Sequence, residues 1–208
     1  MSPRSQGAGP VNVVFDLAGV LVDYDQPALI AEVFGDPGTC RTVLAEIIGH
    51  EDWLTLDRGT LTQEHVIMRA ARRTGLALED IGRFFDRVST AWAPVPGTID
   101  LLRRVRARGH PLFCLSNMHP ASWAYLERSC DFWELFSGIT ISCHVQLIKP
   151  KPAIYAHLLA RHGLDGPQTV FVDDRDVNLA AAARFGIQTI KFETPAQCEM
   201  RLRALGCL

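Results

Sequence analysis

The sequence lacks an excess of either charge: 21 Lys and Arg stand against 23 Asp and Glu, a net of -2 over 208 residues. That balance excludes a broad basic field, so neither nucleic acid nor an anionic membrane surface is an expected partner. No apolar stretch reaches the ~20 residues that cross a bilayer. The opening M-S-P-R-S-Q-G-A-G-P lacks the apolar core of a signal peptide, and residues 1–10 read as a loose tail. Six cysteines are present, but no C-x-x-C pair. This argues against a disulfide framework and for a reducing, cytoplasmic setting. The seven histidines show no close ligand spacing, which removes a structural zinc site. There is no internal repeat and no low-complexity tract.

What is present is an ordinary globular composition, 48% hydrophobic and 21% charged. Short apolar runs rich in β-formers alternate with helical patterns. The expected strands are 11–15, 111–115, 139–142, 169–172 and 188–191, with helices between the later ones and a helical tail from Pro195. Continuous apolar strands joined by helices predict an α/β fold. This is a Rossmann-like parallel sheet covered by helices on both faces. The rhythm breaks between residues 26 and 93, which carry no strand pattern. Pro27 suits the first turn of a helix, and Thr62 and Gly75 suit the cap and stop of another. The expected organisation is an α/β core over 11–25 and 94–208, interrupted by an all-α insert over 26–93.

In an open parallel sheet, ligands gather beyond the carboxyl ends of the strands. The polar residues expected there are Asp16 after the first strand and Ser116-Asn117 after the second. Lys149 follows the third, and Asp173-Asp174 follow the fourth, with Asp176 and Asn178 beyond. Singly, each has an ordinary reading as a turn, cap or solvated residue. Adjacent carboxylates after an apolar strand repel each other unless a cation is near. Together, three acids, a lysine and a hydroxyl/amide pair leave different strands toward one rim, which turn chemistry does not explain.

In that order, D-L-A-G-V-L, L-S-N, K-P-K-P-A-I-Y and F-V-D-D-R-D-V-N resemble the four motifs of the haloacid dehalogenase (HAD-like) superfamily of hydrolases. The insert looks like that superfamily's small α-helical cap, and the layout is similar to its sugar-phosphate phosphatase branch, including enzymes acting on α-glucose 1-phosphate. The resemblance implies a magnesium-dependent phosphatase of a small phosphorylated metabolite. Asp16 would be the nucleophile and form an aspartyl-phosphate. Asp16, the Ala18 carbonyl, Asp174 and Asp173 would hold Mg2+. Lys149, Ser116 and the Asn117 backbone N–H would hold the phosphate. Asn178 stands where an acid is commoner. A monomer and a homodimer both stay open.

Ala18 departs from the pattern. Many phosphatases of the superfamily carry a second Asp there, which protonates the leaving group and then deprotonates water. General acid–base catalysis contributes about 10²–10⁴-fold, so its loss weakens turnover without abolishing it. Three outcomes stay open. The substrate's leaving group could need little protonation. Another acid could reach in, with Asp23 and Asp25 as candidates that read more simply as hinge-turn residues. Or the protein is a metal-independent 2-haloacid dehalogenase, against which the Asp173-Asp174 pair argues. A catalytically degenerate phosphometabolite-binding protein is the alternative from another class. In the insert, His50, Trp53 and Arg58 are candidates for the non-phosphate end of a substrate. Trp53 reads equally as a core anchor and Arg58 as a solvated charge. His119 could line the cleft but reads more simply as a loop or helix-start residue, Cys143 reads as unactivated, and Trp92, Trp123 and Trp133 as packing residues.

Overall fold

The computed structural model describes residues 9–208. The tail expected over 1–10 therefore lies almost wholly outside the described residues. The strands are β1 (Asn12–Phe15), β2 (Val22–Asp23), β3 (Ala93–Pro94), β4 (Leu112–Ser116), β5 (Phe136–Ile141), β6 (Thr169–Asp173) and β7 (Gln188–Lys191). Five of them form one parallel sheet in the order β5-β4-β1-β6-β7.

Period-two alternation divides the strand residues between two cores. Val13, Phe15, Leu112, Cys114, Val170 and Val172 face one way. There they meet α6 (Pro96–Ala107), α7 (Pro120–Ser129) and α11 (Pro195–Ala204) through Leu102, Trp123 and Leu202. Val14, Phe113, Leu115 and Phe171 face the other way. They pack on α9 (Pro152–His162) and α10 (Asp176–Ala183) through Tyr155, Leu158 and Ala182. Both faces are covered, which is why these strands read as continuous apolar runs.

β1 is central, with β4 on one side and β6 on the other. The chain fills the β4–β5 side first and then crosses to β6 and β7. The crevice at the carboxyl end of β1, between its two neighbours, is therefore a topological switch point.

The region between β1 and β4 is helical: α1 (Gln26–Phe34), α2 (Pro37–Val43), a π-helical turn (Leu44–Ile48), α3 (Glu51–Asp57), α4 (Gln63–Thr74) and α5 (Leu78–Thr90). Its starts follow from side-chain caps. Asp25, Asp36, His50 and Thr62 each accept a backbone N–H of the helix that follows. Its helices bury a cluster of their own, built on Ile30, Ile47, Leu56, Val66, Ile81, Phe84 and Phe85.

Two details differ from expectation. The 139–142 strand begins earlier, at Phe136, and ends at Ile141, while Ser142 opens the short helix α8 (Ser142–Val145). β5 is an edge strand with alternating exposure, so its first half has no continuous apolar run to reveal it. The insert also joins the core through a two-stranded antiparallel pairing, Val22 with Pro94 and Asp23 with Ala93. Two-residue strands leave no periodic signal.

Among the described residues no helix is long and apolar enough to cross a membrane. Phe84 is fully buried against Phe34, Trp53 and Phe85. Phe84→Ala is expected to cost about 3–5 kcal/mol in chemical denaturation. A loss below about 1 kcal/mol would contradict a close-packed insert.

Candidate active site

The carboxyl ends of β1 and β6 place Asp16 and Asp173 side by side, and the loop after α8 brings Lys149 between them. Lys149 Nζ lies 2.7 Å from Asp16 Oδ2 and 2.8 Å from Asp173 Oδ2. All three side chains are buried, Lys149 to 2% exposure. The ammonium also lies 5.4 Å from the centroid of the Phe171 ring, a contact favourable to a cation.

The lysine is held by its backbone. Its N–H donates to Asn117 Oδ1 at 2.9 Å, and its carbonyl accepts from Asn117 Nδ2 at 3.0 Å. The Asn117 side chain thus ties the loop after β4 to the loop after α8. Asp173 is equally fixed. It accepts from the Arg175 N–H at 2.8 Å and from Asn178 Nδ2 at 3.0 Å on each oxygen. Asn178 therefore orients Asp173. Tyr155 Oη in turn donates to the Asn178 carbonyl at 3.0 Å.

Asp174 completes an acidic group. One carboxylate oxygen from each of Asp16, Asp173 and Asp174 lies within 4.8 Å of the others. The backbone at Gly19 makes room for it. Gly19 has φ +75°, and a Cβ there would stand 3.0 Å from Asp174 Oδ2, so a side chain would be both strained and crowded.

The charges shift one another. Burial disfavours the Lys149 ammonium, but Asp16 and Asp173 more than offset this and hold its pKa above the usual lysine value. Burial would raise Asp173, yet Lys149 and the donated N–H groups keep it below the usual carboxylate range. Asp16 is raised, because burial outweighs Lys149 and the Asp173 charge adds to it. Asp174 is raised by burial and then by Asp173.

Three carboxylates face one ammonium, leaving two formal negative charges in a confined space. Asn178 Oδ1 is also buried without a hydrogen-bond partner. An all-oxygen acidic set with that charge suits a hard divalent cation such as magnesium.

These residues open into a cleft of ≈ 570 Å³ between the core and the insert. From the core, Asp16, Ala18, Asn117, Lys149, Asp174 and Asn178 line it. From the insert and its hinge come Tyr24, Ile48, His50, Trp53, Leu54 and Asp57, with Trp92 beside them.

Most of the expected site residues converge, but not all. Ser116 ends β4 beside the site and is fully buried, as Asp173 is. Its hydroxyl lies 3.4 Å from the Asn117 carbonyl. Asp23 lines the rim, whereas Asp25 caps α1 by accepting the Ala28 N–H at 2.9 Å. His50 and Trp53 line the cleft, and Arg58 does not. Trp53 serves both readings at once, since it also stacks on Phe85 at 5.4 Å. Trp92, read as packing only, does pack against Tyr24 at 4.6 Å but also borders the cleft. His119 caps α7, and Cys143 is a free thiol that burial raises to about 11.

Asp57 was missed by sequence reasoning. Its one signal is an acid in the last turn of a helix, where the macrodipole disfavours it.

The sequence profile of the haloacid dehalogenase-like hydrolases matches residues 12–186. The sesquiterpene phosphatase astK of Aspergillus oryzae is 27% identical over 196 residues, covering 93% of this chain and 96% of that protein. An (S)-2-haloacid dehalogenase of Pseudomonas fluorescens is 26% identical over 188 residues, 83% of this chain and 80% of the other. The HAD family enzyme bt-2542 of Bacteroides thetaiotaomicron, solved with magnesium and inorganic phosphate, superimposes with a TM-score of 0.67. That match has 20% identity over 89% of this chain and 95% of that one.

Removing the shared cation tests the electrostatics. Lys149→Met leaves buried carboxylates without a partner and is expected to cost about 3–5 kcal/mol at neutral pH. Asp16 and Asp174 are already raised; without Lys149 Asp16 rises further and Asp173 loses the cation that holds it low. The folded state then binds more protons, so the variant's stability falls as pH rises. Urea titrations at pH 5 and pH 8 should show a larger deficit relative to wild type at pH 8. An equal deficit at both would contradict this charge arrangement.

Proposed function

The chain belongs to the haloacid dehalogenase-like hydrolases, and from that premise we propose a magnesium-dependent phosphatase of a small phosphorylated metabolite, acting through an aspartyl-phosphate on Asp16. The observation that carries this reading is the acidic group Asp16, Asp173 and Asp174 around a single buried lysine.

Magnesium, when bound, neutralises charge on the carboxylates and on the phosphoryl oxygens, which is much of what phosphoryl transfer requires. Asp16, Asp174, Asp173 and the Ala18 carbonyl are the groups that would hold it. The remaining work belongs to the side chains. Asp16 Oδ1 accepts the Leu17 N–H at 2.7 Å, while Lys149 contacts Oδ2, so the nucleophile has little rotational freedom. Such pre-orientation removes entropy from the barrier. Lys149 also supplies positive charge where phosphoryl oxygens gather. Asn117 acts by positioning Lys149, and Asn178 by positioning Asp173. The helical insert acts as a cap whose wall excludes water.

That wall is mixed. Tyr24, Ile48, Trp53, Leu54 and Trp92 provide apolar surface, with His50, Gln26 and Asp23 as polar points. It supports a phosphomonoester whose body has an apolar face, a description that fits the ring of a sugar phosphate and also a prenyl chain. A relative named as a sesquiterpene phosphatase supports including the latter.

A second reading has its own observation. Ala18 offers no proton donor, and a halide leaving group needs none, as the relatives named (S)-2-haloacid dehalogenase illustrate. Asp174 argues against it, because a third carboxylate without a cation raises the cost of ionising Asp16.

Purified protein is expected to release phosphate from nitrophenyl phosphate and from members of a sugar-phosphate and prenyl-phosphate panel. Magnesium should be required, EDTA should stop turnover, and Asp16→Asn should abolish it. Halide release from 2-chloropropionate in EDTA, with no phosphate released from any ester, would replace this reading with the dehalogenase one.

A further inference from the structure

The phosphatase reading leaves a gap at Ala18, where no side chain can carry a proton, and it leaves one buried acid in the cleft without a task. Asp57 ends α3 on the insert and is only 8% exposed, yet it borders the same cleft as Asp16 and Ala18. Its place is fixed from several sides. Its backbone carbonyl accepts a hydrogen bond from Ser142 Oγ, and that same hydroxyl oxygen accepts the Met118 N–H at 2.9 Å. Its carboxyl group is approached by the His119 backbone N–H. Met118 and His119 directly follow Asn117, the residue that holds Lys149.

Just beyond Asp57 the chain turns at Gly59, with φ +77°. A Cβ there would stand 2.6 Å from the Cys143 carbonyl, so only glycine lets this segment seat so closely on the core. The carboxyl group is thus carried by the insert but registered against the loop that positions the catalytic lysine.

Resting on the phosphatase reading, we propose that Asp57 is the general acid and base of this enzyme, supplied by the helical insert in place of the side chain missing at Ala18. In the first step Asp16 attacks phosphorus and the bond to the leaving oxygen breaks. Its electron pair stays on that oxygen, which takes the proton of the Asp57 carboxyl. An alcohol leaves, with phosphate on Asp16 and Asp57 ionised. In the second step a water oxygen attacks phosphorus and gives a proton to the Asp57 carboxylate. The bond to Asp16 breaks with its electron pair returning to the aspartate, and inorganic phosphate leaves with both acids restored.

The protonation state suits the role. Burial raises Asp57 to about 7, opposed only by the His119 N–H, so both forms are available near neutral pH. A purely structural latch between insert and core would use the same approach of the His119 N–H. The two roles separate in how the rate depends on the leaving group.

The test compares wild type and Asp57→Asn on an alkyl phosphate and on 2,4-dinitrophenyl phosphate, whose phenolate leaves without a proton. On the alkyl ester the variant should lose about 10²–10⁴-fold in turnover. On the dinitrophenyl ester it should release a rapid burst of one phenolate per competent site and then turn over slowly, because only the second step still needs the base. The burst amplitude counts sites with a working Asp16, so a partly folded preparation is still readable. Loss of the same factor on both esters with no burst would assign Asp57 a structural role and overturn the proposal, as would rates within about threefold of wild type on both. Wild-type protein that turns over neither ester would instead remove the phosphatase reading on which the proposal rests.

Discussion

A buried ammonium shared by two carboxylates is the constraint on which the rest of this structure depends. Lys149 can sit 2.7 and 2.8 Å from Asp16 and Asp173 only if β1 and β6 are adjacent and parallel, in the register that sets Phe15 beside Val172. The loop after α8 must also fold back over the same crevice, and the Asn117 side chain holds it there through both of the lysine's backbone polar groups. Burying ions is costly, and a well-packed apolar replacement is often as stable or more so. The arrangement is therefore poorly explained as a stabilising device. Its physical consequence is a carboxylate held in one orientation, beside a fixed positive charge, at the floor of a cleft.

The cleft needs a second body to close it. The insert has its own apolar cluster, with Phe84 and Phe85 at its centre, and Tyr24 from the hinge packs against it. Inside the insert, Asp52 is paired with Arg69 at 2.9 Å and Arg73 at 3.1 Å, which ties α3 to α4. That tie sets where Trp53, Leu54 and Asp57 project. Trp53 illustrates the economy of the design: one face stacks in the insert's core while the ring borders the cleft. The two bodies are joined by the β2–β3 pairing and by Ser142, whose hydroxyl contacts both Asp57 and Met118.

The relatives include a protein named as a sesquiterpene phosphatase and others named as (S)-2-haloacid dehalogenases. A carboxylate beside a lysine suits either displacement chemically. What separates them is the handling of charge and protons around it. A phosphoryl group brings negative charge that needs a cation and a leaving oxygen that needs a proton, whereas a carbon–halogen bond needs neither. Here the third carboxylate, Asp174, and the orphaned Asn178 Oδ1 favour a bound cation. Ala18 leaves the proton question to residues outside the four motifs.

Much of this was legible without coordinates. The parallel sheet follows from continuous apolar runs, and the insert from the loss of that pattern and the helix signals Pro27, Thr62 and Gly75. The convergence of Asp16, Asp173 and Asp174 follows from their places at the ends of adjacent strands, with Lys149 brought in by the loop after α8. These are local signals: periodicity, capping and the polar residue that ends an apolar run. The edge strand β5 and the two-residue strands β2 and β3 were harder to see, because they are too exposed or too short to leave a pattern. Only the tertiary structure decided that Ser116 is fully buried, that Asn178 serves Asp173, and that Trp92 borders the site. It alone turned Asp57 from an acid at the wrong end of a helix into a buried acid bordering the same cleft as Asp16. The reason is that burial and apposition depend on how separate elements dock, and docking across a long insertion is not encoded in the neighbours of any one residue.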